Sequence, residues 1–150
     1  MKFSEFHIGQ VITAGPYLVT EAEVMAFATA YDPQWFPTDP VAAKNGRFGG
    51  LIASGWHTAG IAMRLVADAT LQGSESFASP GLAYLKWQHP VRPGDQLLVR
   101  ATVLETRHSA SQPTRGILRG HWQMANQDNV QVLELEATSL FDLTLTPKTN

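Results

Sequence analysis

LIASGWHTAGIAMRLVADATL, residues 51–71, is the stretch whose reading decides the fold. It is long enough to cross a bilayer, yet it contains His57, Arg64 and Asp68, each costly in hydrocarbon. A helix buried in a globular core accommodates these residues better. The three lie at i, i+7 and i+11, on one helical face, while Ala59, Ala62, Met63, Leu65, Val66 and Ala69 fill the remainder. A helix this apolar needs cover nearly all round, and the residues that follow predict the cover.

After QGSESFASPG (72–81), which is rich in turn formers, three segments alternate with period two. They are GLAYLKWQHPV (81–91), DQLLVRATVLETRH (95–108, after Pro93-Gly94) and RGILRGHWQMAN (115–126). A fourth, VQVLELEATSLFDLTL (130–145), puts Leu133, Leu135, Ala137, Ser139, Phe141 and Leu143 on one face and Glu134, Glu136, Thr138 and Asp142 on the other. Strands of this kind are antiparallel with one wet face. Upstream, Thr20 followed by Glu23 predicts a capping box opening a helix through about Ala30, and FHIGQVITAGPYLV (6–19) predicts a short strand pair. The expected class is α+β, a long central helix packed on a strongly curved antiparallel sheet. No repeat, linker or low-complexity run divides the chain, so residues 1–150 read as one domain.

Composition narrows the function classes. Hydrophobic residues make up 44% and charged residues 16%, a globular balance. A net charge of −2, with no local run of Lys or Arg, offers no field for nucleic acid. Cysteine is absent, which removes disulfides, thiolate ligands and a cysteine nucleophile. The five histidines show no metal-ligand spacing, so neither a metal nor any other cofactor is expected. The stretch MKFSEFHIGQ lacks the apolar core of a signal peptide, and with no membrane span the chain reads as cytoplasmic.

A second stretch, AYDPQWFPTDP (30–40), carries Asp32 and Asp39 among three prolines. Proline fixes φ and lacks a donor, so this is a stiff, irregular loop. Asp32 at a helix end before proline reads either as a turn residue or as a carboxylate held at the wall of a site.

The order of elements and several words within them resemble the MaoC-like family of the hotdog fold, which includes (R)-specific enoyl-CoA hydratases and dehydratases. FATAYD, the loop ending TDPVAAK, FGGLIASGWHT and PVRPGD carry the resemblance, and it covers nearly the whole chain. In that family an Asp and a His in a loop D-x-N-P-x-H-x-D handle the protons of hydration. The resemblance aligns Asp32 with the catalytic Asp and Asp39 with the trailing one, and puts Gln34, Trp35 and Pro37 at the Asn, Pro and His positions. Met63 aligns with a family Ser that holds the Asp. The family further implies a homodimer or higher homo-oligomer and an acyl-CoA or acyl-thioester substrate.

The candidate site is therefore Asp32 as the catalytic group, with Ser54, Gly55, His57 and Trp35 on the substrate. Gly55, near the start of the central helix, lies where free N–H groups and the helix dipole favour a thioester oxygen; equally, it can be small to admit a neighbouring strand. His57 reads first as part of a polar stripe with Arg64 and Asp68, and second as a replacement acid. Trp35 and Phe36 also read as packing that closes the loop. Three functions stay open: a weak acyl-CoA hydratase or dehydratase, a thioesterase using Asp32 to activate water, and a non-catalytic acyl-CoA-binding subunit.

Overall fold

A computed structural model describes residues 1–34 and 38–145. A 3-10 turn, Phe3–Glu5, leads into β1, Val11–Leu18. Thr20 caps α1, Glu21–Tyr31, its side chain accepting from the Glu23 N–H at 3.2 Å. The Glu23 carboxylate does not close the expected capping box; Tyr17 Oη donates to it at 2.8 Å instead. Asp39 caps the short α2, Pro40–Lys44, accepting from Val41 N and Ala42 N, both at 3.0 Å. Then come α3, Gly55–Val66, a wider π-type turn over Ala67–Leu71, and strands β2 Ser76–Trp87, β3 Gln96–His108, β4 Arg115–Ala125 and β5 Gln131–Asp142.

The strands form one sheet in the order β1-β3-β4-β5-β2, every neighbouring pair antiparallel. Ile61, Ala62, Leu65 and Val66 of α3 pack into one core with Leu97, Val99, Met124, Leu133 and Leu135 of the sheet. A second cluster, Phe3, Phe6, Val103, Leu118 and Phe141, closes the sheet at its other end. On β5 the predicted inner face is buried at Leu133, Leu135, Ala137 and Phe141 and half-buried at Ser139 and, just past the strand, Leu143, while Val132, in the opposite register, is buried too. Their neighbours Glu134 and Glu136 pair on the wet face, with His121 Nε2 at 2.9 Å and with the Arg119 guanidinium respectively.

Two local expectations change. The strand pair at 6–19 is a single strand, because β1 pairs with β3 and not with itself. Gly15-Pro16, which suggests a turn, produces only a register shift between Ala14 and Tyr17. On an edge strand a proline need not cost a ladder bond. Gly15 has φ +115°, and a Cβ there would lie 2.6 Å from the Leu97 carbonyl oxygen, so the close approach of β1 to β3 requires glycine. Residues 76–80, expected in a turn, instead open β2, where one of three register shifts, between Ala78 and Gly81, absorbs Pro80.

The central helix is also less enclosed than its composition predicts. Residues 51–54 precede it outside any helix or strand, and Trp56, Met63, Arg64 and Asp68 are exposed. Arg64 Nε reaches Asp68 Oδ2 at 2.8 Å on this open side. His57 does not share their stripe, because α1 covers the first turn of α3 and buries it.

Candidate functional site

Three side chains lock α1 onto the start of α3. The His57 ring stacks on Phe27, with centroids 4.9 Å apart and planes 11° from parallel. Its Nε2 lies 3.9 Å from Glu23 Oε1, whose other oxygen accepts from Tyr17. Burial pushes the His57 imidazole below its ordinary range, and the Glu23 carboxylate opposes that only in part. The hydrogen bond to Glu23 holds the Tyr17 phenol above its usual range, with burial adding to the effect.

Beyond this clamp α1 ends on Asp32, its C-cap. The Asp32 N–H donates to Ala28 O at 2.8 Å as the helix stops, and Oδ1 accepts from Gln34 Nε2 at 2.6 Å. The side chain is half-buried on the wall of a cleft of about 520 Å³ that also takes in Phe48, Gly55, Trp56, Trp87 and His89. A volume of this size suits a small-molecule ligand. Arg92 donates to Phe48 O and pins the loop before α3, while Ala53 N donates to Val91 O at 2.7 Å.

Gly55 is the first residue of α3, where the leading N–H groups have no intrahelical acceptor. Its carbonyl accepts from Trp87 Nε1 at 2.8 Å, and a Cβ would fall 2.6–2.9 Å from the Trp87 ring. Its smallness admits the indole, so the packing reading of this glycine has a structural basis alongside its place on the cleft. Trp56 meets Trp87 edge-on, with centroids 5.5 Å apart. On its other side Trp56 borders a second, apolar cavity of about 470 Å³ walled by Met63, Phe77, Leu82, Leu85 and Leu135.

Of the residues expected at the site, Asp32 and Gly55 stand on this cleft together, whereas Ser54 and His57 do not line it. Ser54 caps α3 from a buried position, 1% exposed, and its Oγ has no hydrogen-bond partner among the described residues. His57 faces α1. Trp35, Phe36 and Pro37 lie outside the described residues. Trp56, Trp87 and His89 line the cleft as well, although Trp87 reads from the sequence as a core or interface residue and His89 as a strand-end residue with no partner spacing. The signal for the last two was available: both stand within five residues of PVRPGD, one of the stretches that carry the resemblance.

The family described as a MaoC-like domain matches residues 4–119. The chain belongs to the MaoC-like dehydratase family. Its sheet and helix form the hotdog fold of that family. An uncharacterized protein of Bacillus subtilis, YdeM, is 35% identical over 143 residues, covering 93% of this chain and 98% of its own. The crystal structure of a MaoC-like dehydratase from Rhodospirillum rubrum is likewise 35% identical, with a TM-score of 0.85 over 98% of this chain and 97% of that one. An (R)-hydratase from A. caviae, at 22% identity and TM-score 0.70 over 90% and 96% of the two chains, shares the fold. Among the described residues, no helix of this MaoC-like protein is long and apolar enough to cross a membrane.

Proposed function

We propose that this MaoC-like protein is a hydratase or dehydratase acting on an enoyl or 3-hydroxyacyl thioester, carried as acyl-CoA, with Asp32 exchanging the proton of water. The observation that carries the reading is that Asp32 and the start of α3 at Gly55 share one cleft, beside an apolar cavity suited to an acyl chain. Hydration of an enoyl thioester needs a base for water and donors for the enolate-like oxygen, and a carboxylate facing a helix N-terminus supplies both. The 35% identity to a protein named a MaoC-like dehydratase supports the same class of chemistry. In this reading the enzyme works in the cytoplasm as a homodimer, and residues 1–150 act as one domain.

The test is incubation with crotonyl-CoA and longer enoyl-CoAs, following loss of the enoyl absorbance and release of free thiol together. Hydration is expected without thiol release, and Asp32→Asn, whose amide cannot accept the proton, should lower kcat by about two to four orders of magnitude. Thiol release in place of hydration would make the protein a thioesterase. Binding of saturated acyl-CoA with neither reaction would make it a non-catalytic acyl-CoA-binding subunit.

A further inference from the structure

The Asp32 cleft is lined by two titratable side chains among the described residues, one carboxylate and one imidazole. They arrive from different walls: Asp32 at the end of α1, and His89 from the segment after β2. Of the remaining polar side chains there, Thr58 Oγ1 donates to Ser54 O at 3.3 Å and Gln88 Nε2 to Glu134 Oε1 at 3.2 Å, and neither carries an exchangeable charge. The rest of the lining is glycine, proline and apolar or aromatic side chains. Residue 37, which the family alignment sets opposite a histidine, is proline and has no proton to give.

We propose that His89 is the second proton-handling residue of this site, an inference that rests on the hydratase reading above. Its backbone is held on both sides, by Gln88 N to Val132 O at 3.1 Å and by Ala53 N to Val91 O at 2.7 Å. Pro90 restricts residue 89 further to extended conformations. The imidazole itself makes no hydrogen bond to another described residue and is exposed to the cleft. His57, the other histidine near α3, is spent on Phe27 and Glu23.

The step balances with water as the only co-substrate. Asp32 takes a proton from water as its oxygen bonds to the β-carbon; the double-bond electrons move onto the thioester as an enolate, and the imidazolium of His89 protonates the α-carbon. Proton return from Asp32 to His89 through solvent resets the pair, and dehydration is the reverse.

The deciding experiment compares His89→Ala and His89→Gln with the natural protein on crotonyl-CoA, and measures butyryl-CoA affinity by calorimetry. Both variants should lose about 10²–10⁴-fold in kcat with unchanged butyryl-CoA Kd. Imidazole added to the buffer should restore turnover of His89→Ala saturably and leave the natural enzyme unaffected. If the natural protein hydrates crotonyl-CoA and the variants do so equally well, His89 has no such role and the hydratase reading stands. A loss expressed in Kd, or one that imidazole leaves untouched, equally overturns the role. Absence of hydration by the natural protein itself fails both readings.

Discussion

Glu23 and His57 each carry a buried polar atom with no hydrogen-bond partner among the described residues, Oε1 and Nδ1 respectively. Such atoms are costly, and the pair persists because it joins α1 to α3 beneath the end of the Asp32 helix. The consequence appears in the pH dependence of stability. An imidazole kept below its ordinary 6.5 binds fewer protons folded than unfolded. Its contribution to stability is therefore complete above about 6.5 and is lost as pH falls through the lowered folded value. His57→Phe preserves the stack on Phe27 and removes the titration. In denaturant titrations below pH 6.5 the variant should lose part of the natural protein's rise of stability with pH, a slope one proton can raise by at most about 1.4 kcal/mol per pH unit. Equal slopes in the two proteins would assign that dependence to other groups.

At the scale of elements, the start of α3 is built around one contact between helix and sheet. The Trp87 indole at the end of β2 sits where a Gly55 side chain would be, and its N–H holds the Gly55 carbonyl. Gly55→Ala must displace the ring, and overpacking of this kind costs about 1–3 kcal/mol. Trp87→Leu should remove much of that penalty, so the two substitutions should be non-additive in a double-mutant cycle by more than about 0.5 kcal/mol. Additive losses in urea unfolding would mean the contact is not what fixes the helix start. The sequence made the helix and four of the strands legible because their periodicity is dictated by burial over many residues. It did not reveal that β2 begins at Ser76 or that residues 11–18 form one strand, because Pro80, Gly81 and Gly15-Pro16 mimic turns and only the pairing partner distinguishes an edge irregularity from a reversal. Asp32 and Gly55, which line the cleft, were legible as candidates because a motif carried them. For His89 the nearby PVRPGD stretch was the one sequence signal, and its shared cleft with Asp32 was not legible, since the fold creates it by bringing α1 beside the segment after β2, more than fifty residues away.

Across the whole molecule, the open side of α3 and the edge strand β2 leave apolar surface uncovered. Trp56 is 65% exposed, and Met63, Phe77, Leu82 and Trp87 are each between 44% and 50% exposed. Trp56, Met63, Phe77 and Leu82 wall a single cavity, so they make one patch and not scattered residues. An edge strand of twelve residues beside such a patch is a ready surface for a second copy, and pairing through a two-fold axis would hide both the edge and the patch. The expected assembly is therefore a homodimer joined through β2 and the exposed face of α3. Leu82→Glu sets a charge on each partner across that axis, where burial without a counter-ion is costly. Sedimentation at micromolar concentration should show a dimer for the natural protein and a shift toward monomer for Leu82→Glu, with far-ultraviolet circular dichroism unchanged. Glu21→Gln, on the exposed start of α1, should leave the dimer intact. A natural protein that sediments as a monomer, or a Leu82→Glu variant that remains fully dimeric, would show that this patch is not where two copies meet.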